Sequence, residues 1–298
     1  MKITVTGSLG HIGKHLVKGL IAKGHEITVI SSNSQKRSDI IEIGAIPAIG
    51  NLEDIHFLVK AFKSADAIFT MFPPFNYQDP ELDVVEEYKK RAYYYAQAIS
   101  LAKIKRVINL SSIGAHLDKG NGTISGAFFV EKILNELPNE VVITHIRPSS
   151  FYTNLLGFIA TIKSDGKIYA NFGSSVMPWT SPKDIATAII EELELTTPSR
   201  GMRYVVSDEL SGDEIACILG QAIGKEDLKW VIISDAEVDN KFRSMGMNTK
   251  VASELTEMYV ALQSGLMATD YVATKPHKMG QVKMIEFAKE FATIYGKE

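Results

Sequence analysis

The chain has few of the features that would assign it quickly to a class. Its 298 residues include one cysteine, Cys217, which excludes an intramolecular disulfide and fits a reducing compartment. Its seven histidines show no metal-ligand spacing, so we expect no metal site. A net charge of −3 gives no electrostatic case for binding nucleic acid or an anionic membrane. No apolar run approaches the roughly 20 residues that a membrane-spanning helix needs.

The remaining composition is that of an ordinary globular protein. Hydrophobic residues make up 45% of the chain and charged residues 22%. We therefore expect a cytoplasmic protein without a signal peptide, either a monomer or a homodimer. Because Cys217 lies on an apolar helix face, we expect it to be buried.

The first residues carry the strongest local pattern. The β-branched run at 3–6 predicts a strand, glycines at positions 7, 10 and 13 predict a tight turn, and the apolar stripe that follows predicts a helix. Gly7 permits the reversal, Gly10 lets a diphosphate approach the backbone, and Gly13 lets the helix pack closely on the sheet. A helix N-terminus also favours phosphate. The pattern predicts dinucleotide binding by Gly7, Ser8, Leu9, Gly10, His11, Ile12 and Gly13.

Strand and helix patterns then alternate as far as residue 150. This alternation predicts an α/β fold, a Rossmann-type doubly wound parallel sheet over residues 1–150, to which residues 181–206 return. Residues 151–180 and 207–298 are expected to form a smaller, interleaved C-terminal α/β lobe that holds a substrate or partner. Within 149–180 we expect loops and one short helix at 154–163. The S-x-x-E pattern at 211–214 predicts a capping box.

The end of the second strand indicates which dinucleotide is bound. Sites that prefer NAD usually place an acidic residue there, whereas this chain has none. Hydroxyl, amide and cationic groups suit a 2′-phosphate, so NADP(H) is the expected cofactor and NAD(H) the alternative. The residues concerned are Ser31, Ser32, Asn33, Lys36 and Arg37. Further expected cofactor contacts are Asn51 and Leu52 near the adenine, and Met71, Phe72 and Pro73 along the channel for the ribose and nicotinamide.

Several motifs together resemble one family. They are the Thr6–Gly13 turn, with its extended short-chain dehydrogenase spacing, the corner at 50–52, Ser111-Ser112, Arg147–Phe151 and the helix start at 181–186. The chain resembles the NmrA-like group of atypical short-chain dehydrogenases over essentially its full length. The resemblance implies cofactor contacts at Ser111, Pro148, Ser149 and Ser150. It also implies either an NADPH-dependent reductase of quinones, azo dyes or triphenylmethane dyes, or a redox sensor that binds the dinucleotide without turnover.

One position departs from the chemistry usual for this fold. Tyrosine-dependent relatives carry Y-x-x-x-K on one helix face, where the tyrosine exchanges a proton with the substrate. Here we align Lys132 with the lysine and Phe128 with the tyrosine. Phenylalanine has no proton to exchange, so we expect no tyrosine-type carbonyl chemistry and no sugar-nucleotide epimerisation. As catalytic residues we expect Lys132, which would hold the nicotinamide ribose, and Ser112, which would polarise the substrate weakly.

Aromatic residues cluster at the predicted strand ends and in the excursion that follows them. A flat, conjugated substrate would stack on such side chains, and at least half of them are expected to fill the core instead. The cluster comprises Phe72, Phe75, Tyr77, Phe128, Phe151, Tyr152 and Trp179. The predicted substrate contacts among them are Phe75, Phe128, Phe151 and Tyr152. A catalytically silent sensor, whose lobe binds a partner according to cofactor state, remains the alternative.

Overall fold

The computed structural model describes residues 1–276 and 278–297. The strands, in chain order, are β1 (Lys2–Val5), β2 (Glu26–Ser31), β3 (Ile46–Ile49), β4 (Ala67–Thr70), β5 (Arg106–Leu110), β6 (Val142–Pro148), β7 (Ser150–Phe151), β8 (Lys167–Ala170), β9 (Met177–Thr180), β10 (Gly201–Val205), β11 (Asp208–Leu210) and β12 (Lys229–Ile232). The α-helices are α1 (Gly13–Ala22), α2 (Arg37–Glu42), α3 (Ile55–Phe62), α4 (Val84–Ala102), α5 (Ser125–Asn135), α6 (Ile159–Asp165), α7 (Pro182–Leu193), α8 (Gly212–Ile223), α9 (Asp235–Ser244), α10 (Thr249–Gln263), α11 (Thr269–Ala273) and α12 (Met284–Tyr295).

A seven-stranded sheet forms the centre of the molecule. Its order is β10-β6-β5-β4-β1-β2-β3, and every strand pair in it is parallel. The predicted Rossmann-type α/β fold is therefore confirmed. The strand order reverses between β1 and β4, and in such sheets ligands bind beyond the carboxyl ends at this point.

Helices cover both faces of this sheet. Residues of α1 and α7 pack against one face, around Ile3, Val5 and Phe69. Residues of α3, α4 and α5 pack against the other face, around Ile68, Val107 and Ile143. Both faces of the sheet are therefore buried, as is usual for parallel sheets.

The C-terminal lobe has its own core. A three-stranded sheet, β11-β9-β7, and a parallel pair, β12-β8, pack with α6, α8 and α12 around buried aromatic side chains. The short helix expected at 154–163 is present as a 3₁₀ segment, Tyr152–Phe158, followed by α6, but the strands β7, β8 and β9 of this segment were not expected. These strands are two to four residues long, and each pairs with a strand distant in sequence or with another of these short strands. Such short strands leave no local alternation of polar and apolar residues.

Two further details differ from expectation. Cys217 is exposed on α8, because the buried side of that helix carries Ile215, Ala216 and Leu219 instead. Helix α2 was not predicted. The capping box that opens α8 is present, with Ser211 and Glu214 each bonded to the other's backbone N–H.

Helix α10 of the lobe touches the turn that precedes α5. Gly122 has a positive φ of 56°, and a Cβ atom there would lie 1.8 Å from the carbonyl oxygen of Glu254. Any larger residue would push the two backbones apart. The lobe and the sheet domain therefore meet by direct backbone contact at this point.

Candidate active site

The glycine turn lies at the carboxyl end of β1, where the strand order reverses. Gly7 has a φ of 84°, and a Cβ atom on it would lie 2.2 Å from Sδ of Met71, so both conformation and space favour glycine. A Cβ atom on Gly13 would lie 2.1 Å from the carbonyl oxygen of Ser8. The space that Gly13 provides is therefore within the turn itself, rather than between helix and sheet as predicted.

Gly10 leaves room for a ligand. It is exposed, and the nearest atom to a Cβ placed there, the Gly7 oxygen, is 3.7 Å away. Ser8 Oγ is buried and has no hydrogen-bond partner among the described residues. No side chain caps the N-terminus of α1, although the Lys14 N–H donates to the Gly10 carbonyl at 3.0 Å. An open backbone at an uncapped helix N-terminus fits a diphosphate.

The end of β2 presents a polar, mostly exposed surface. Ser31 is buried and its Oγ bonds to the backbone of Asn33, whereas Ser32 and Asn33 are exposed. Lys36 Nζ lies 3.1 Å from Asp39 Oδ2. Arg37 is exposed at the start of α2 and forms no ion pair with another described residue. Arg37 is thus the cation with the greater freedom to meet a phosphate.

The predicted adenine and channel residues follow β3 and β4. Asn51 is exposed, and its Oδ1 accepts a hydrogen bond from the backbone N–H of Glu53 at 3.0 Å. Leu52 packs against the core under α3 and α4. Phe72 stacks on Tyr95 at 5.2 Å between ring centroids. The Tyr95 hydroxyl donates to the Met71 carbonyl and so fixes the backbone at the end of β4.

A cleft of about 250 Å³ opens beside the glycine turn. It is formed by side chains from the ends of β4, β5 and β6 and from the helices above them. The lining residues are Ile12, Met71, Phe72, Tyr88, Leu110, Ser111, Ser112, Thr123, Ile124, Ala127, Val130 and Phe151. None of these residues carries a charge at neutral pH. The cleft thus offers a flat molecule an apolar surface with four hydroxyl groups.

A buried ionic network lies directly behind the cleft. Arg147 forms two hydrogen bonds to the carboxylate of Glu131, at 2.9 and 2.6 Å, and a third to Asp270 at 2.9 Å. Ser111 donates a hydrogen bond to the same Glu131 carboxylate. Burial alone would lower the pKa of Arg147, but its bonds to Glu131 raise that pKa above the usual value. The network holds α5, β5, β6 and α11 together and leaves Glu131 no free oxygen for catalysis.

The placement of α5 corrects the alignment of its presumed catalytic pair. Lys132 is exposed, and neither it nor Phe128 lines the cleft. The residues that face inward are Ala127, in the cleft, and Glu131, in the buried network. The pair that faces inward, Ala127 and Glu131, therefore precedes the predicted pair by one residue each. One residue corresponds to a rotation of about 100° around the helix axis. The predicted roles of Lys132 and Phe128 at the cofactor and substrate do not fit this geometry.

The end of β6 also differs from expectation. Pro148 is buried. Ser149 is buried too, and its Oγ lies 2.5 Å from Oγ1 of Thr180 rather than in the cleft. Ser150 lines a cavity in the lobe, and Phe151 lines the cleft.

Two of the four predicted substrate aromatics are held away from the cleft by other contacts. Tyr152 is fully buried, and its hydroxyl donates to Asp208 at 2.6 Å, so it is a core residue and not a substrate contact. Phe75 packs edge-on against Tyr88 and under the guanidinium of Arg91. Phe75 therefore supports the cleft from behind.

Sequence reasoning missed Tyr88 and Thr123 as cleft residues. Tyr88 lies on the long helix α4, where no strand-end signal marks it, and burial raises its pKa far above the usual value. Thr123 follows Gly122, the glycine that touches the backbone of α10. Neither hydroxyl can lose a proton readily near neutral pH. Both can donate a hydrogen bond.

Within residues 1–276 and 278–297, no group of three or more metal-binding side chains comes together. No helix in the same residues is long and apolar enough to cross a bilayer.

A family model gives the broadest match to the chain. The model described as the NmrA-like family matches residues 1–289. A characterised relative, an NAD(P)H azoreductase of Xenophilus azovorans, is 26% identical over 303 aligned positions, covering 99% of each chain.

Solved structures show the same architecture. The NADPH-dependent quinone oxidoreductase of Escherichia coli, in complex with NADPH, matches with a TM-score of 0.80 at 17% identity, covering 97% of this chain and 99% of that one. The triphenylmethane reductase of a Citrobacter species, in complex with NADP(H), matches with a TM-score of 0.76 at 20% identity, covering 97% and 99%. At these identities the likeness shows the fold alone.

Proposed function

The chain belongs to the NmrA-like family, and from this premise we propose that it is an NADPH-dependent reductase that transfers hydride to a conjugated electrophile such as a quinone, an azo compound or a dye. The full-length azoreductase relative and the two dye and quinone reductases of the same fold support a reductase role. NADH would be the weaker cofactor, because the end of β2 offers cations and no acidic side chain.

The residues of the glycine turn would hold the cofactor. Ser8, the open backbone at Gly10 and the start of α1 would receive the diphosphate, and Asn33 with Arg37 would receive the 2′-phosphate. The nicotinamide, when bound, supplies a hydride. Ile12 and Phe151 would exclude water from one side of the cleft, and Ser112 and Thr123 would orient a polar substrate atom.

The absence of any charged side chain among the described residues lining the cleft carries this proposal. A simple ketone needs a proton donor as hydride arrives. The inner position of α5 that would carry a tyrosine holds Ala127, and Tyr88 is a poor acid because burial raises its pKa. A quinone or dye cation accepts hydride into a delocalised system and can take its proton later from water. The cleft therefore suits these electrophiles better than simple carbonyl compounds.

Loss of NADPH absorbance, measured on a panel of quinones, azo dyes and triphenylmethane dyes, tests the proposal. We expect turnover on at least one class, and none on matched simple aldehydes and ketones. The variant Ala127→Tyr would place a phenol on the inner face of α5, and Phe128→Tyr serves as its control on the outer side. Tight NADPH binding without turnover on any panel member would contradict the reductase proposal and favour a redox sensor.

A further inference from the structure

Helix α4 brings to the cleft a phenol that the inner face of α5 lacks. Tyr88 lies in the second turn of α4 and lines the cleft. Its ring crosses α5 at Gly126, where a Cβ atom would lie 2.3 Å from Cδ2 of Tyr88. Any side chain at residue 126 would push this ring aside. Gly126 and the small Ala127 that follows it therefore leave the room that the phenol occupies.

Two further aromatic side chains hold the ring of Tyr88 in place. Phe72 packs edge-on against it with 5.4 Å between the ring centroids, and Phe75 does so at 5.0 Å. Edge-on packing is a favoured arrangement of aromatic pairs. Because the ring is held by these two side chains and by Gly126, its hydroxyl group has a defined position before a ligand arrives.

The hydroxyl group of Tyr88 is accessible and uncommitted. It forms no hydrogen bond with another described residue. Fully buried polar atoms without a partner occur elsewhere in the described part of the chain, as at Ser8 Oγ, but the Tyr88 oxygen is not one of them, so it retains accessible surface. Tyr95 on the same helix differs, because its hydroxyl donates to the Met71 carbonyl at 2.8 Å. The Tyr88 hydroxyl is thus available to a molecule in the cleft.

The other hydroxyl groups of the cleft are placed differently. Ser111 donates its proton to the carboxylate of Glu131. Thr123 Oγ1 lies 3.9 Å from the sulfur of a methionine in α10. Ser112 follows β5 and belongs to the sheet side of the cleft. Tyr88 is therefore the donor that reaches the cleft from the helix layer above the sheet.

The chemistry of this phenol suits donation of a hydrogen bond rather than transfer of a proton. Burial raises the pKa of Tyr88 far above the usual value for tyrosine, so the group stays protonated near neutral pH. A protonated phenol donates one hydrogen bond to a lone pair of its partner. The ligand must then supply the acceptor, since no described residue does so.

We propose that Tyr88 is a specificity-determining residue of the cleft, whose hydroxyl donates a hydrogen bond to an exocyclic oxygen of a flat ligand and thereby favours quinones over dye cations that carry no such oxygen. A quinone has its oxygens at the rim of the ring, where a donor on the cleft wall meets them. The choice of substrate class rests on the proposed function. The hydrogen bond itself needs no hydride transfer, so binding measurements test it separately.

Fluorine NMR titration of the full chain with two bicyclic ligands, 5-fluoro-1-indanone and 5-fluoroindane, tests the inference. The two ligands differ by one carbonyl oxygen, and both are small enough for a cleft of about 250 Å³. The titrations are made with and without saturating NADP⁺, which has no hydride to transfer. The variant Tyr88→Phe removes only the hydroxyl group. It should weaken indanone binding about tenfold, the effect of losing one hydrogen bond, and leave indane binding unchanged.

A matched control and the second ligand separate recognition from structure. Tyr93→Phe removes a hydroxyl group from an exposed tyrosine of the same helix and should change neither Kd. A general disturbance of the cleft in Tyr88→Phe would weaken both ligands alike. Such an equal loss, unchanged indanone binding in Tyr88→Phe, or no binding of either ligand to the unsubstituted protein would overturn the inference. Absence of NADPH oxidation on the quinone and dye panel would contradict the reductase proposal instead and leave this binding result standing.

Discussion

The sheet domain and the lobe differ in what fills their interiors. Behind the cleft, Thr70, Asn109 and His145 form a chain of hydrogen bonds across β4, β5 and β6, and Arg147 pairs with two carboxylates. In the lobe, the core is built on large aromatic side chains such as Tyr152, Trp179 and Phe291. Each region keeps a buried polar atom without a hydrogen-bond partner among the described residues, Ser8 Oγ in the sheet domain and Asn171 Oδ1 in the lobe.

This difference indicates how the two regions divide the task of recognition. Under the proposed function, a dinucleotide would bind through the backbone shape of the glycine turn, which the hydrogen-bonded strands behind the cleft would hold in place. A substrate would be selected by the side chains that line the cleft. Substitutions in the two regions should therefore have separable effects.

The largest expected effect concerns the contribution of the buried ionic network to the stability of the protein. Glu131→Gln removes a buried charge and leaves Arg147 paired only with Asp270, so the free energy of unfolding should fall by about 3 kcal/mol. Urea unfolding followed by circular dichroism measures this loss. The lobe variant Asp239→Asn breaks the exposed pair with Arg243 and should change stability little. Equal losses of unfolding free energy in the two variants would show that the buried network stabilises the protein no more than an exposed ion pair does.

The next effect tests whether backbone shape alone determines cofactor binding. Gly10→Val places a branched side chain where the diphosphate would approach, and the folded protein has room for it. The Kd for NADPH should rise about 100-fold, which corresponds to ~2.7 kcal/mol. Gly157→Val, at an equally open glycine of the lobe, is the control and should leave that Kd unchanged. Calorimetry provides both values. A Kd for Gly10→Val equal to that of the unsubstituted protein would contradict the assignment of the diphosphate to this turn.

A smaller effect concerns the choice between the two cofactors. Arg37→Ala should reduce the preference for NADPH over NADH about tenfold, the effect of losing one charge-assisted phosphate contact. Lys36→Ala should do less, because Lys36 also pairs with Asp39. The exposed lobe variant Lys229→Ala is the charge-matched control. An unchanged ratio of the two Kd values in Arg37→Ala would mean that the 2′-phosphate binds elsewhere.

The smallest effect is a dependence on pH confined to the sheet domain. Burial lowers the pKa of His145 below its ordinary value of 6.5. Above that pH the histidine is neutral in both the folded and unfolded states. As the pH falls below it, the unfolded chain takes up a proton that the folded chain does not. Stability should therefore decrease as the pH falls from 6.5, by at most about 1.4 kcal/mol per pH unit for this group.

Hydrogen exchange localises this effect. Protection of β5 and β6 should weaken between pH 6.5 and about 5, while protection of β8 and β12 should hold, since the described part of the lobe contains no histidine. His145→Gln should weaken the dependence at β5 and β6, while the part due to His15 and His116 remains, because burial lowers the pKa of both. A uniform loss of protection in both regions would assign the effect to other groups.

The two regions also differ in how much of their structure could be predicted from the sequence. The glycine turn, the order of strands and helices through β6 apart from α2, and the capped start of α8 depend on neighbours within a few residues, and the sequence pattern indicated them correctly. Strands β7, β8 and β9 depend on partners far along the chain, so no local period marked them. The lobe cavity has the same origin, because Asn171 and Tyr259 meet only in the folded lobe.

Helix α5 shows a different way in which a prediction from the sequence can fail. A motif alignment placed Phe128 and Lys132 at the site, but an error of one residue turns a helical side chain by about 100°. The burial of Glu131 decides the matter, and its partner Arg147 comes from β6. A sequence signal existed, since an acidic residue within an otherwise apolar helix face requires a buried cation. In the shifted register the α5 position that faces the cleft holds Ala127 rather than a tyrosine.

The contact between Gly122 and Glu254 has a mechanical consequence. Thr123 and Ile124, which line the cleft, follow directly after the glycine that α10 touches backbone to backbone. Because the two backbones already touch at Gly122, any movement of α10 toward this turn must displace Thr123 and Ile124 as well. The position of α10 therefore limits how far this part of the cleft lining can move toward the lobe.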